Sequence, residues 1–311
     1  MKVDLELSIP RFGALAALSL LFVMGLGGCA KSAQMRSGLV QVVGAENFYA
    51  DVAAKIGGPY VEVTSILNNP NIDPHTYESN TSAASAVANA ALVVQNGLGY
   101  DAFMDNLEAA SPSSTRRVIT VGKTLGYRVG DNPHIWYDPA TMPKVAAMIG
   151  DALAHIDPAH AATFRTNQRI FDASLQPWTA AIAQLKRTQS GTPIAVTEPV
   201  FNYTADAIGL KIETPRAFQL AIEEGNDPAP QDVAAEQQLL TSHAVKMLVY
   251  NQQTIEPITT HVLAVARAAH VPVVGVYETM PAGMSYAQWM ATEVRAVIAA
   301  LRHGVSTERL H

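Results

Sequence analysis

From residue 38 onward, short β-rich runs alternate with stretches of helical periodicity, and this alternation constrains the fold more than any other feature of the chain. Residues 39–43 (L-V-Q-V-V) read as a strand ended by Gly44, and 47–56 follow with helical spacing until Gly57-Gly58 stops them. Further strands are predicted at 61–67, 92–94 and 117–121, with helices at 81–90, 103–110 and 142–155. The pattern then repeats, with strands at 193–196, 211–213, 245–250 and 273–276 and helices at 200–207, 230–241, 256–269 and 286–303. Alternation of this kind gives parallel sheets with helices on both faces, and such sheets bind ligands beyond the carboxyl ends of their strands. The fold class is α/β.

Between the two halves, residues 159–188 contain no glycine, and their only proline is Pro177, which predicts a kink rather than a break. Asp157-Pro158 supplies a cap and a first-turn proline. At about 1.5 Å per residue this helix would run roughly 45 Å, a rigid strut between two lobes. A length of 311 residues agrees, since single cores stop growing at roughly 250–300. Hydrophobic residues make up 49% and charged ones 15%, which excludes disorder. A net charge of −6 with no basic run longer than Arg116-Arg117 excludes a nucleic-acid partner.

The beginning of the chain reads differently. Lys2 and Arg11, offset by Asp4 and Glu6, precede an apolar run at 13–26 that is too short to span a bilayer comfortably. It ends in Leu26-Gly27-Gly28-Cys29, which resembles a bacterial lipobox. Cys29 is the only cysteine, so no internal disulfide is available, and lipidation of Cys29 after removal of an export signal is the expected use. The divisions predicted are a signal peptide at 1–29, a tether at 30–38, an N-terminal α/β lobe at 39–157, a linking helix at 158–189, a C-terminal α/β lobe at 190–303 and a tail at 304–311.

Four segments place one imidazole or carboxylate beside a proline, where strands are expected to end: Asp73-Pro74-His75, D-N-P-H-I-W-Y-D-P at 131–139, Thr197-Glu198-Pro199 and Tyr277-Glu278-Thr279-Met280-Pro281. In the second, Pro133 and Pro139 stiffen the backbone around His134, and Trp136 and Tyr137 should wall its ring off from water. His75, His134, Glu198 and Glu278 thus form a candidate ligand set, two from each lobe. Nitrogen and oxygen donors without thiolate suit zinc or manganese, and iron also fits, whereas copper(I) does not. Binding needs neutral imidazoles, so affinity should fall in acid. Singly, each residue reads more often as a turn residue bonded to backbone; four at matching positions point to a shared ion. Asn251, at the end of the 245–250 strand, reads either as a residue orienting a ligand or as a turn asparagine. His155, His160, His243, His261, His270, His303 and His311 read as solvated or capping residues. Gly97 and Gly99 do not extend to G-x-G-x-x-G, and Walker and G-x-S-x-G motifs are lacking, which leaves nucleotide binding and serine hydrolysis without a foothold.

Taken together, lipobox Cys29, Asp73-Pro74-His75, Asn132-Pro133-His134-Ile135-Trp136, Thr197-Glu198-Pro199-Val200-Phe201 and Glu278-Thr279-Met280-Pro281 resemble the zinc/manganese solute-binding lipoproteins of bacterial ABC transporters over about residues 39–303. The resemblance implies two lobes, each a mostly parallel four-stranded sheet flanked by helices, joined by one long rigid helix. It implies one divalent ion held between them by His75 and His134 from the first lobe and Glu198 and Glu278 from the second. It further implies a monomer, exported and lipid-anchored in the periplasm or on the outer face of the cytoplasmic membrane, that delivers its ion to an ABC permease and its ATPase. Many zinc-importing members carry histidine where Glu198 stands, many end the set with aspartate where Glu278 stands, and many have a histidine-rich loop that 111–132 lacks. A carboxylate in place of an imidazole hardens the site and favours manganese relative to those members, although zinc still binds well by the Irving–Williams order. Two alternatives remain: a metal-dependent hydrolase, against which stands the lack of H-E-x-x-H, and an adhesin or surface module with a structural metal.

Overall fold

The computed structural model describes residues 38–69 and 77–310, so the readings of Cys29, of the export segment, of most of the tether and of Asp73-Pro74-His75 lie outside the described residues. Among the described residues eight strands form two sheets. In the first, β1 (Val40–Glu46), β2 (Val61–Leu67), β3 (Leu92–Gln95) and β4 (Arg117–Thr120) take the order β2-β1-β3-β4. In the second, β5 (Pro193–Val196), β6 (Lys211–Ile212), β7 (Leu248–Asn251) and β8 (Val273–Val276) take the order β6-β5-β7-β8. All pairings between these strands are parallel. Every residue of β3, β7 and β8 is buried, which explains why their sequences are continuous rather than alternating apolar runs.

The first half carries α1 (Asn47–Gly57), α2 (Thr81–Asn89), α3 (Phe103–Ala110), α4 (Val121–Leu125) and α5 (Thr141–Ile156). The connection is α6 (Ala161–Ser174) and α7 (Gln176–Gln189), and the second half adds α8 (Asn202–Ile208), α9 (Arg216–Glu223), α10 (Pro230–Thr241), α11 (Pro257–Ala268) and α12 (Tyr286–His303). Helix α1 buries Phe48, Tyr49, Val52, Ala53 and Ile56, a single stripe that faces the core. Helix α12 starts at a reciprocal cap, in which Ser285 Oγ accepts from the Gln288 amide and Gln288 Oε1 accepts from the Ser285 amide. It then buries Tyr286, Trp289, Met290, Val294 and Val297. Burying one such large apolar side chain stabilises by about 1.5–3 kcal/mol. From Gly38 on, sheets and helices form one compact unit.

The structure differs from the sequence pattern in three places. The single kinked helix expected over 159–188 is two helices, preceded by a 3₁₀ turn at Pro158–His160 and meeting at Leu175, whose backbone stays right-handed (φ −79°, ψ −10°). Pro177 has no N–H to return to the preceding turn, so the regular ladder lapses just ahead of it. Helices α4 and α9 occupy stretches where the pattern shows no element; at five and eight residues they are shorter than the window in which helical periodicity can be read. Because α4 follows β4, His134 does not sit directly at a strand end but opens a 3₁₀ turn, Ile135–Tyr137.

Candidate metal centre

His134 is fully buried, with its ring edge-on to Trp136 at 5.1 Å and to Tyr100 at 5.9 Å. Asn132 Oδ1 accepts both the His134 backbone N–H, at 3.0 Å, and ring Nδ1–H, at 2.8 Å. An amide oxygen can only accept, so the proton is held on Nδ1 and the lone pair is left on Nε2. That nitrogen is buried and has no hydrogen-bond partner among the described residues. It lies 3.5 Å from Glu278 Oε2 and 3.8 Å from Glu223 Oε1.

The carboxylates come from the second half. Glu198 stands two residues beyond β5, Glu278 two beyond β8, and Asn251 is the last residue of β7. Strands β5 and β7 are neighbours at the point where strand order reverses, the place where open parallel sheets bind ligands. Asn251 Nδ2 donates to Glu198 Oε2 at 2.5 Å and to Glu278 Oε1 at 2.7 Å, with Thr254 Oγ1 3.0 Å away. Tyr100 OH donates to Glu278 Oε2 at 3.2 Å. Glu198 and Glu278 are 3% and 0% exposed, so this amide and this phenol stabilise carboxylates that water does not reach.

Burial pushes the Glu198 carboxyl well above its ordinary range, and the negative charges of Glu278 and Glu223 push it further, against the opposing hydrogen bonds of Asn251 and Thr254. The Tyr100 phenol is raised for the same reasons, burial first and then Glu278, Glu46 and Glu223. Among the described residues that line the pocket none is a lysine or arginine. The pocket opens into a cleft of about 560 Å³ whose walls include Leu98, Tyr100, Pro133, Glu198, Glu223 and Glu256. Leu98 holds a left-handed backbone, φ +62°, between Gly97 and Gly99, which bends the 96–100 loop over that cleft.

Of the predicted site residues, then, the structure brings His134, Glu198, Glu278 and Asn251 together, while His75 lies outside the described residues. Sequence reasoning missed Glu223, Tyr100 and, as a partner of His134, Asn132. Glu223 sits at the end of a helix too short to recognise and is not next to a proline. Two donors of one tetrahedrally held ion at about 2.0–2.2 Å stand about 3.3–3.6 Å apart, so the His134–Glu278 separation fits a shared ion and the His134–Glu223 separation is slightly wider. Among the described residues, no three His, Cys, Asp or Glu side chains are drawn into a finished cage, which agrees with the Asn251 amide standing between two of the carboxylates. Outside the pocket, His160 bonds Asp157 at 2.6 Å and stacks on Tyr60, and His243 and His270 follow α10 and α11 in left-handed conformation.

Asn132 also ties the halves together: its Nδ2 donates to the Pro199 carbonyl at 2.7 Å, beside Glu198, and its carbonyl accepts from Tyr203 OH at 2.9 Å. Tyr137 OH donates to the Tyr277 carbonyl at 2.7 Å, beside Glu278. Side chains from the segment that carries the imidazole are thus bonded to the backbone beside each carboxylate.

Solved structures and curated relatives resemble this chain over most of its length. The fold matches a periplasmic zinc-binding protein, TroA, from Treponema pallidum with a TM-score of 0.71 at 18% identity, covering 85% of this chain and 99% of that one. It matches the solute-binding protein FpvC from Pseudomonas aeruginosa, solved with Mn²⁺, with a TM-score of 0.69 at 20% identity over 85% and 98%. In sequence, a manganese-binding lipoprotein, MntA, from Bacillus subtilis (strain 168) is 24% identical over 259 residues, 79% of this chain and 82% of the relative. Residues 42–300 match the family model for ZnuA, the periplasmic component A of the zinc-uptake complex, and the chain belongs to that family.

Proposed function

We propose that this chain captures a divalent transition-metal ion, manganese or zinc with iron also accommodated, outside the cytoplasm and hands it to an ABC permease driven by its ATPase. It is a binding component of metal uptake and not an enzyme. The observation that carries the reading is the His134 Nε2 lone pair, buried without a hydrogen-bond partner among the described residues and 3.5 Å from a carboxylate, in a pocket with no cationic side chain among its described walls. Buried polar atoms are nearly always satisfied, and a cation would satisfy this one. The ligand set is His75, His134, Glu198 and Glu278, with Asn251 steadying both carboxylates and Asn132 fixing the imidazole tautomer. Relatives solved or named with manganese and zinc support that chemistry.

Burial and the neighbouring Glu278 and Glu223 raise the Glu198 carboxyl, so protons compete with the ion there, and a cation would offset the charge of the carboxylates that Asn251 holds. Cys29 is assigned as the lipidated anchor and the chain as a monomer at the outer face of the cytoplasmic membrane or in the periplasm. Among the described residues no helix is long and apolar enough to cross a membrane. The direct test is growth in metal-poor medium with metal uptake measured: Glu198→Ala should abolish both, and normal growth and uptake by that strain would defeat the proposal. Metal analysis of protein isolated from its native host without refolding identifies the cargo.

A further inference from the structure

We propose that Gln253 is a positioning residue for the metal site: it holds the backbone of Glu278 and so fixes where that carboxylate presents its oxygens. The inference rests on the capture reading of this pocket and adds to it a residue that does not itself touch the ion. Strand β8 ends at Val276, and side chains take up the amides that follow. Gln253 Oε1 accepts the Glu278 N–H at 2.6 Å and the Thr279 N–H at 2.8 Å, while Gln253 Nε2 donates to Thr279 Oγ1 at 2.8 Å. Successive N–H groups turned the same way form a concavity that takes one oxygen, and here a glutamine supplies it. The next amide, that of Met280, donates to Asn47 Oδ1 at 2.9 Å, from the first half of the chain. Glu278 and Thr279 are 0% and 1% exposed, so water has little access to replace the Gln253 oxygen.

Gln253 also meets the group that steadies the carboxylate itself. Its backbone N–H donates to Asn251 Oδ1 at 3.0 Å, which turns Asn251 Nδ2 toward Glu198 and Glu278. Residues 251–253, at the end of β7, therefore hold Glu278 both by its backbone and by its carboxylate. Loss of the Gln253 side chain takes the acceptor from two buried amides, and the backbone at 278–279 must turn to find another. The carboxylate turns with it. Because the change is one of geometry, manganese and zinc should be weakened alike.

The test is the affinity of the purified full chain for Mn²⁺ and for Zn²⁺, each alone, by chelator competition well below the melting transition, with metal-free melting measured alongside. The proteins compared are wild type, Gln253→Met, Gln253→Glu and the exposed control Gln238→Met. Gln253→Met should weaken both metals by about tenfold or more. Gln253→Glu, which keeps an oxygen for the two amides, should recover part of that loss, and the control should match wild type. A lower melting temperature with unchanged affinity would make Gln253 purely structural and overturn its positioning role, as would equal loss in the two Gln253 variants. Failure of wild type to bind either metal would instead overturn the capture reading, and this role with it. Should Gln253→Met not fold, amide hydrogen exchange of metal-free wild type decides: slow exchange at Glu278 and Thr279 supports the proposal, and fast exchange there contradicts it.

Discussion

Asn132 accepts two N–H groups from His134 and donates across to the Pro199 carbonyl, so one amide fixes both the tautomer of an imidazole and its position relative to Glu198. Groups that orient a histidine ligand typically contribute about 10–100-fold to metal affinity. Asn132→Ala should lose affinity in that range, and should also melt below wild type without metal because its bond to the Pro199 carbonyl is lost. An unchanged affinity would mean that packing against Trp136 alone orients the ring. Glu198 supplies a pH dependence. Its carboxyl is raised by burial and by Glu278 and Glu223, so protons compete with the ion more strongly than at an ordinary glutamate, and affinity should climb as pH rises. Titrations at several pH values check this, and a flat profile would contradict it.

Among elements, the strands announced themselves through valine-rich runs, and α1 and α12 through long apolar stripes. Glu198, Glu278 and Asn251 could be located because each closes a strand that the pattern reveals. Helix α9 could not be read, since eight residues give only Phe218, Gln219 and Ile222 as its buried face, and Glu223 was hidden with it. Tyr100 lies in N-G-L-G-Y, where the glycines draw attention as a failed nucleotide motif and the phenol has no signal of its own. The tail holds a further finding. Thr307 bridges to Val274 in parallel, its amide donates to the Val273 carbonyl and its carbonyl accepts from Gly275, so the edge of β8 is covered. A Cβ on Gly275 would stand 1.9 Å from the Glu308 carbonyl oxygen. Gly275→Ala should therefore release the tail and cost about 1–3 kcal/mol, a melting decrease of roughly 3–10 °C. A melting temperature equal to wild type would show that the tail contributes nothing.

For the whole molecule, several hydrogen bonds join the two halves, two of them fully buried. Asn47 exchanges two with Met280, Tyr137 donates to the Tyr277 carbonyl, Tyr286 OH to the Trp136 carbonyl, and Thr204 Oγ1 to the Tyr137 carbonyl. Together with the α6–α7 connection they argue for small relative motion, so X-ray scattering with and without metal should give closely similar profiles; a wide opening on metal removal would contradict this. Buried acids set the pH response of the metal-free fold. Burial pushes Glu236 to about 7 and Glu293 to about 8, the latter despite hydrogen bonds from Tyr137 and Trp289. Between the ordinary glutamate range and about 8 the folded chain holds protons that the unfolded chain has released, so stability falls as pH rises through that window and levels off above it. Glu293→Gln should flatten part of that slope in melting curves. Added metal raises the melting temperature by mass action, about 2.7 kcal/mol at a hundredfold excess over the dissociation constant. The most direct test is anomalous diffraction from crystals of the manganese-loaded protein. The account predicts a single anomalous peak at bonding distance from His134 Nε2, Glu198 and Glu278; a peak elsewhere, or none at this pocket, would contradict it.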